Sequence, residues 1–429
     1  MPSDTAYRRI RLTKVRYGEG VLKQKPVRMY AVAAIAAAVM LASGCDALTS
    51  PRPDATTPAP ETPTTYAGEP APDLALSPVE LAGAPSYAEA DRSEVVGLAG
   101  GRLLATRPGP ENIIGVDAWD AGSGELAWDI TTYKSYQLVL DHGFGRGLLE
   151  FAGGAVQRGE AQGYVVPIFG NLCGGGTRCM DDPYRVGIAM LNPADGAVMW
   201  TSDLTDHLGD DVSGISLHAV VADANADSVI VEVDAQLDEG GDTTVALVAD
   251  AASGEVRWAT RDAHLVSIAG DAILGEQDGA LVAFDAATGA ERWRGGSGTW
   301  IPREASAGYA AAMDPEADIV DVATGEVVAM GRFPVDPVVS DEFVAWVDAT
   351  GETVSYDGNA ALPGESGDGA GIAEAIDGEY IWIQGEGVLA VDRTGQARTE
   401  TLPGSFVDAR DGAVATVEED GTVHLFRAG

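Results

Sequence analysis

The chain has little positive charge, few cysteines and few aromatic residues. Its 429 residues include 27 Lys and Arg against 66 Asp and Glu, and its formal net charge is −39. This charge balance excludes a protein that binds nucleic-acid phosphates through a basic surface. A hydrophobic content of 45% also excludes a disordered acidic tail. No apolar run reaches the roughly 20 residues of a membrane-spanning helix, whereas the 54 glycines predict many tight turns.

The basic residues are concentrated at the start of the chain. Residues 1–44 contain eight basic residues and two acids, so the remainder has 19 basic against 64 acidic residues, a net charge of −45. Lys134 is the only lysine of that remainder. An apolar run of about a dozen residues and several small residues follow the basic region, as in a secretory signal. We therefore predict that residues 1–44 are a signal peptide.

The end of this signal carries a possible anchor. Leu41-Ala42-Ser43-Gly44-Cys45 resembles the lipobox of bacterial lipoproteins, although Ala42 stands where that family prefers Leu. The resemblance implies cleavage before Cys45 and a lipid on its thiol; an ordinary signal peptide that contains a cysteine is the alternative. Residues 45–72 are rich in Pro and Thr and predict a disordered tether. We expect the mature protein on the extracytoplasmic face of a cell membrane, held by its lipid.

The two other cysteines, Cys173 and Cys179, enclose five residues. In an exported protein such a pair predicts a structural disulfide. A redox pair and half of a metal site are the alternatives, but both chemistries favour a two-residue spacing.

One pattern recurs between residues 96 and 429. It runs Asp-x-x-x-Gly-x-x-x-Trp and is clearest from Asp285 to Trp293, and the Asp positions 250, 285, 321, 357 and 392 are spaced by 35 or 36 residues. A period of this length indicates an array of similar units. Within each unit, an apolar strand, a turn with Asp and Gly, and a returning strand predict a β-hairpin. The residues that define the pattern are Asp120, Gly124, Trp128, Gly196, Trp200, Asp250, Gly254, Trp258, Asp285, Thr288, Gly289 and Trp293.

This pattern resembles the tryptophan-docking motif of the quinoprotein-like (PQQ-like) β-propellers, and the resemblance covers roughly residues 96–429. It implies an all-β fold, a single propeller over residues 73–429. Eight copies, some degenerate, predict eight blades, with seven as the alternative. The long intervals from Asp120 to Asn192 and from Asn192 to Asp250 predict loop insertions. The last copy ends too early, so we predict that a segment within residues 73–95 supplies its outermost strand and closes the ring.

The resemblance also raises the question of catalysis. Related dehydrogenases hold pyrroloquinoline quinone and Ca²⁺ at the centre of the propeller and use an adjacent cysteine pair, which this chain lacks. Trp382 lies in an apolar strand pattern, which predicts a residue of the hydrophobic core and not a ring on which a cofactor stacks. Asp223, Asn225 and Asp227 have the spacing of the first calcium-loop ligands, but Ser228 replaces the required Gly, which favours a hairpin turn. The five scattered histidines lack ligand spacing. We predict no cofactor and no metal.

The sequence therefore favours a non-catalytic, membrane-anchored propeller that acts as a protein-interaction scaffold or ligand-binding module. Its plan is similar to that of the lipoprotein propeller that assists outer-membrane assembly in Gram-negative bacteria, which binds a protein partner. A PQQ-dependent dehydrogenase and an extracellular sensor or carbohydrate-binding module are the alternatives. We expect no nucleic-acid partner, and the sequence does not identify a protein partner.

Overall fold

The computed structural model describes residues 70–82, 95–108, 114–142, 144, 146–158, 163–171, 184–295, 301–314, 316–330, 337–340, 342–347, 353–356, 361–363, 372–418 and 420–429. The signal peptide, Cys45, most of the tether, and the cysteines Cys173 and Cys179 lie outside these residues. No helix among the described residues is long and apolar enough to cross a membrane.

Strands dominate the described chain, and they form eight antiparallel sheets, numbered here in chain order. The first strand, β1 (Leu76–Val79), belongs to the last sheet. Sheet 1 contains β2 (Val95–Ala99), β3 (Arg102–Pro108), β4 (Ile114–Asp120) and β5 (Leu126–Ile130). Sheet 2 contains β6 (Arg146–Leu149), β7 (Ala155–Val156), β8 (Tyr164–Asn171), β9 (Tyr184–Leu191) and β10 (Val198–Asp203), and both β6 and β7 pair with β8.

The next three sheets have four strands each. Sheet 3 contains β11 (Val212–Ala224), β12 (Ser228–Leu237), β13 (Asp242–Asp250) and β14 (Val256–Thr260). Sheet 4 contains β15 (His264–Ala269), β16 (Ala272–Gln277), β17 (Ala280–Asp285) and β18 (Glu291–Arg294). Sheet 5 contains β19 (Ile301–Ala305), β20 (Tyr309–Asp314), β21 (Glu316–Asp321) and β22 (Val327–Met330).

The last three sheets complete the domain. Sheet 6 contains β23 (Val338–Val339), β24 (Val344–Val347), β25 (Thr353–Tyr356) and β26 (Ala361–Pro363). Sheet 7 contains β27 (Ile372–Asp377), β28 (Tyr380–Gln384) and β29 (Val388–Asp392). Sheet 8 contains β30 (Ser405–Arg410), β31 (Ala413–Val417) and β32 (Val423–Ala428), with β1 as its fourth strand.

One strand from each sheet contributes to a closed ring. β2, β7, β11, β15, β19, β23, β27 and β30 contact one another in that order, and β30 contacts β2. This arrangement is a β-propeller whose axis is lined by these strands, which we call the inner strands. The predicted all-β propeller is confirmed, and its eight sheets match the eight copies of the sequence repeat.

An N-terminal strand closes the ring, as predicted. β1 pairs antiparallel with β32, with Leu76 opposite Ala428 and Val79 opposite Leu425. The last sheet thereby gains an outer strand that the C-terminal part of the chain does not supply. Its closing segment begins earlier than the sequence suggested: residues 70–72, assigned there to the tether, already contact the propeller, and Ala71 is buried.

The long intervals of the repeat are filled in two different ways. The first contains helix α1 (Thr132–Asp141), which begins where the Thr131 hydroxyl accepts a hydrogen bond from the Lys134 amide. The second interval was predicted to contain a loop insertion, and this is wrong for most of its length. Its extra residues instead lengthen β11 and β12 to 13 and 10 residues, because their apolar runs continue the hairpin rather than interrupt it.

The hydrophobic core lies between neighbouring sheets. Ile230 and Val248 of sheet 3, for example, pack with Leu265, Ile273 and Val282 of sheet 4. The middle strands are covered on both faces, so β17 is buried from Ala280 to Phe284 without a polar alternation. Trp382 is fully buried in the core between sheets 7 and 8, as predicted.

Candidate functional site

The repeated Asp caps the turn that follows the third strand of a sheet. In sheet 4, Oδ1 of Asp285 accepts hydrogen bonds from the amides of Ala287 and Thr288, at 3.2 and 2.9 Å, and from the Thr288 hydroxyl at 2.8 Å. Gly289 then adopts a φ of +71°, which glycine takes without steric cost. Asp120, Asp250 and Asp321 cap their turns in the same way.

The repeated Trp reaches from one sheet to this turn in the next. The indole nitrogen of Trp258 donates to the carbonyl oxygen of Ala286 at 3.0 Å, and the ring lies against Gly289, where an added Cβ would be 2.8 Å from the indole. The same pair of contacts recurs at three further joints. They are Trp128 with Pro193 and Gly196, Trp200 with Ala251 and Gly254, and Trp293 with Val322 and Gly325. The docking residues are therefore structural joints between sheets.

Arginines complete several of these turns. The guanidinium of Arg292 bonds both Asp271 and Asp285, and hydrogen bonds from Arg292 and Thr288 lower the pKa of Asp285 to about 2. Arg257 bonds Asp250 at 2.7 Å and Arg102 bonds Asp120 at 2.5 Å. These carboxylates already have cationic partners, so the acidic turns are engaged in holding the fold.

The joint between sheets 8 and 1 uses the closing segment in place of a Trp. Gly124 has a φ of +72°, and an added Cβ there would meet the carbonyl oxygen of Glu80 at 1.9 Å. The Ala82 amide donates to the Gly124 carbonyl at 2.8 Å. The indole of Trp119 donates to the Ala82 carbonyl at 3.2 Å. Residues just after β1 thus occupy the place that a docking Trp has at the other joints.

A second constellation, which we call the axial cluster, consists of Arg158, Asp223, Asp377, Asp408 and Arg410. Each of these residues lies at the C-terminal end of an inner strand or directly after it. Because the inner strands form the ring, these ends meet at the same end of the propeller axis.

Arg158 links four sheets within this cluster. It follows β7 of sheet 2, and its Nε donates to Asp223 Oδ1 in sheet 3 at 3.0 Å, while its Nη2 bonds the other oxygen. It also donates to the carbonyl of Ile268 in sheet 4 at 2.7 Å and to that of Ala305 in sheet 5 at 2.9 Å. The Arg158 side chain is 40% exposed, whereas that of Asp223 is 14% exposed.

Asp223 and Asp408 occupy equivalent positions in different sheets. Each follows a register shift in its inner strand, and each accepts an amide hydrogen bond from the next sheet. The donors are Ile268 at 2.8 Å for Asp223 and Leu98 at 2.9 Å for Asp408. Arg410 pairs with Asp408 at 3.3 Å and donates to the Gln157 carbonyl at 2.6 Å. The two carboxylates therefore make the same contact with the next sheet, although Asp223 pairs with an arginine from sheet 2 and Asp408 with one from its own strand.

Asp377 lies beside the Asp408–Arg410 pair. The largest influences on its pKa do not include an arginine. Burial raises the pKa of Asp377, and the neighbouring carboxylates of Asp408 and Asp411 raise it further, while Arg410 acts in the opposite direction. Its charged form is thus disfavoured at the joint between sheets 7 and 8.

Sequence reasoning missed most of the axial cluster. Arg158, Asp408 and Arg410 belong to no recognised motif, and Asp223 was considered only as a calcium ligand. An alignment of the inner strands by their register shifts gives only a weak signal, because the position of Asp223 and Asp408 is occupied in other sheets by Gly97, Ser267, Glu304 and Ala375. Such an alignment depends on knowing where each register shift falls.

The structure supports the hairpin interpretation of residues 223–228. Asn225 Oδ1 accepts hydrogen bonds from the amides of Asp227 and Ser228, at 3.0 and 2.8 Å, and so caps the turn between β11 and β12. Asp234 accepts a hydrogen bond from Thr244 on the neighbouring strand. These side chains point to separate partners and do not converge on one centre.

Three of the histidines make specific contacts with neighbouring side chains, which the sequence alone does not indicate. His218 lies within β11 and stacks on Phe169, with 6.2 Å between ring centroids. His264 pairs with Glu232, and His424 Nε2 lies 2.7 Å from Glu418 Oε1 within sheet 8. His218 and His424 both lie within strands, where their rings pack on neighbouring aromatic rings.

The described residues at the axis do not fit a quinone and its calcium ion. Of the three carboxylates in the axial cluster, Asp223 and Asp408 already accept hydrogen bonds from arginines and backbone amides. Burial and neighbouring carboxylates raise the pKa of the third, Asp377, and so disfavour the charged form that would bind calcium. In the described part of the chain, no group of three or more His, Cys, Asp or Glu is placed to hold a metal ion. The sequence has no adjacent cysteine pair. The resemblance to quinone enzymes therefore concerns the fold and not the cofactor site.

No protein-family model matches the chain, and no curated protein matches it. Solved structures do match. BamB from Moraxella catarrhalis is 16% identical, with a TM-score of 0.44, and the match covers 78% of this chain and 98% of that one.

Two other similar structures come from different classes of protein. Quinohemoprotein alcohol dehydrogenase from Comamonas testosteroni is 11% identical, with a TM-score of 0.40, and the match covers 78% of this chain and 74% of the enzyme. The WD40 domain of SCAP from fission yeast is 12% identical, with a TM-score of 0.39, and the match covers 79% and 98%. The fold assignment rests on the chain's own ring of sheets, and at these identities the likenesses do not extend beyond the fold.

Proposed function

We propose that the protein is a non-catalytic, lipid-anchored propeller on the extracytoplasmic face of a cell membrane, where it serves as a protein-interaction scaffold or ligand-binding module. The proposal combines the signal and lipobox pattern that ends at Cys45 with a propeller built for rigidity. The Pro- and Thr-rich tether separates the two and would hold the propeller away from the membrane.

The observation that carries the non-catalytic part of the proposal is the axial cluster. Arg158 joins four sheets through its guanidinium, and Arg410 joins sheet 8 to sheet 2. The oxygens of Asp223 and Asp408 already accept hydrogen bonds from arginines and backbone amides, which leaves them less available as general bases or metal ligands. Side chains that could supply reactive groups at the axis instead hold the sheets together.

The charge of the exported part supports an interaction role. With a net charge of −45, the part of the chain after residue 44 produces a negative field. Such a field attracts basic surfaces and repels acidic ones, which favours some partners and excludes others. The partner we propose is accordingly a protein with a basic surface.

Lipid anchoring is tested by metabolic labelling with an alkyne-bearing fatty acid in a bacterial host that processes lipoproteins. We expect label on the wild-type chain and on Cys173→Ser, and none on Cys45→Ser. Cys173→Ser is the matched control because it also removes one thiol. Label that persists on Cys45→Ser, or is absent from the wild type, would contradict the anchor.

The scaffold role is tested by crosslinking in intact cells of the source organism, followed by affinity isolation. We expect one protein with a basic surface to be recovered with wild type. Its binding to the purified propeller should then weaken as the salt concentration rises from about 50 to about 500 mM, because exposed charges are screened weakly at the lower concentration and strongly at the higher one. Binding that is unaffected by salt, or no recovered protein, would contradict a partner selected by charge.

A further inference from the structure

The segment of residues 70–82, which we call the clasp, crosses three sheets. Near its start, the Leu74 amide donates to the Arg398 carbonyl in sheet 7 at 2.8 Å. Its middle, β1, pairs with β32 of sheet 8. Its end, at Ala82, bonds Gly124 and Trp119 in sheet 1. No other described segment before residue 95 holds these three sheets together.

Apolar packing holds both halves of the clasp, and polar contacts are concentrated at its start. Leu74 and Leu76 pack against the core that contains Trp382 and Phe426, whereas Val79 and Leu81 pack against the core of sheets 8 and 1. The first residues, 70–73, are held mainly by polar contacts. Hydrophobic stabilisation is spread over many atoms, whereas a polar contact is lost when one of its two partners is removed.

These polar contacts converge on Asp392 and Arg398 of sheet 7, which we call the latch. Oδ2 of Asp392 accepts the Ala71 amide at 3.2 Å and two bonds from the guanidinium of Arg398. Arg398 also reaches Asp73 at 3.4 Å. The Asp392 side chain is only 2% exposed. The Tyr380 hydroxyl adds a bond to the Pro72 carbonyl at 3.1 Å.

The latch uses the repeated turn motif to make an additional contact with the clasp. Asp392 caps its own turn through Thr394 and Gln396, as the equivalent Asp285 does in sheet 4. In sheet 4 the second carboxylate oxygen bonds only Arg292 among the described partners. In sheet 7 that oxygen also binds the clasp backbone. In the described part of the chain, sheet 7 has three strands, and isolated bridges from Leu402 and Ala397 flank β29.

We propose that the clasp is a separable conformational unit whose N-terminal half opens before the rest of the propeller, and that the Asp392–Arg398 latch controls this opening. Opening of residues 70–75 would release the hydrogen bond from the Gly429 amide to the Ala75 carbonyl, which lies next to the first β1–β32 pair, while the other sheets remain folded. Local openings of this kind involve segments with few apolar contacts. Because the clasp directly follows the tether, any force on the tether acts first on the latch, whether or not Cys45 carries a lipid.

The test is native-state hydrogen exchange on the full-length chain, measured by mass spectrometry for Asp392→Asn and Tyr380→Phe. We expect the amides of Ala71 and of residues 73–76 to exchange at least about tenfold faster in Asp392→Asn, a factor that corresponds to about 1.4 kcal/mol. Tyr380→Phe should give a smaller increase in the same peptide. Amides in β12, β16 and β17 should keep their wild-type rates in both variants.

Asp285→Asn is the matched control, because it removes the same turn carboxylate at a sheet that the clasp does not touch. It should leave exchange in residues 70–76 unchanged. Tyr380→Phe decides the matter if Asp392→Asn disturbs sheet 7 itself, since the hydroxyl is not part of any turn. The proposal is overturned if residues 70–76 exchange only at the rate of the global core in the wild type. It is also overturned if neither variant accelerates them.

Discussion

The indole nitrogen of Trp258 donates a 3.0 Å hydrogen bond to the carbonyl oxygen of Ala286, one sheet further around the ring. The same ring packs 5.8 Å from Phe284, measured between centroids, and covers Gly289. One side chain thus combines apolar burial, a directed hydrogen bond and a close contact that only glycine permits. Four joints share this arrangement, so the stability of the ring depends on a small set of repeated contacts.

Truncation of a docking tryptophan should separate its two contributions. We expect Trp258→Ala to lower the free energy of unfolding by about 3 kcal/mol, because it leaves a cavity between sheets 3 and 4. Trp258→Phe keeps most of the packing and loses the hydrogen bond to Ala286, so its cost should be about 1 kcal/mol. Urea denaturation followed by tryptophan fluorescence measures both. Equal costs for the two variants would show that the hydrogen bond, and not the packing, dominates.

The turn glycines should be sensitive to an added methyl group in proportion to what covers them. Gly289 has a φ of +71° with the Trp258 indole 2.8 Å from an added Cβ, whereas Gly240 has a φ of +87° and no atom within 4 Å. We expect Gly240→Ala to cost about 1 kcal/mol through its backbone conformation. Gly289→Ala should cost at least about 1 kcal/mol more, because the indole must move. Similar melting temperatures for the two variants would contradict the docking contact.

Loss of the arginine at the axis should destabilise the ring through the acid it leaves behind. In Arg158→Ala, the Asp223 carboxylate remains mostly buried and loses two bonds, which we expect to cost about 1–3 kcal/mol after allowance for the exposure of Arg158. The double variant with Asp223→Ala should recover part of this loss. Arg185→Ala is the control, since its pair with Asp203 is exposed on both sides and should contribute less than about 1 kcal/mol. Equal effects of the two arginine variants would argue against the axial role.

Neutralisation of Asp377 should stabilise the protein at neutral pH. The pKa of Asp377 is raised by burial and by Asp408 and Asp411. Its contribution to stability is therefore greatest below the unfolded value of 3.8 and is lost as pH rises through the higher folded pKa. Asp377→Asn should raise the melting temperature at pH 7 and flatten its dependence on pH in this window. A lower melting temperature at pH 7 would mean that the charged carboxylate makes a favourable contact.

The joints of the fold were accessible from the sequence because they repeat. The period of 35 or 36 residues, the turn chemistry around Asp285 and the early end of the last copy predicted the propeller and its N-terminal closure. In sheet 3, the long β11 was not predicted, since an apolar run does not reveal whether extra residues form a loop or lengthen a hairpin.

The axial cluster was not accessible in the same way. Its ion pairs join residues 65 positions apart in the case of Arg158 and Asp223. Arg158 follows a two-residue strand that has no repeat signature, and Asp408 has no motif around it. Contacts of this kind depend on which inner-strand ends meet at the axis, and hence on the closed ring itself.

The central functional claim is that the axis holds the chain's own ion pairs and not a redox cofactor. It is tested most directly by incubating the purified exported domain with pyrroloquinoline quinone and Ca²⁺, removing free quinone, and measuring dye reduction with a panel of alcohols and sugars. We expect that neither the wild type nor Arg158→Ala retains quinone or shows turnover. Stoichiometric quinone retention with substrate-dependent dye reduction by the wild type would contradict it.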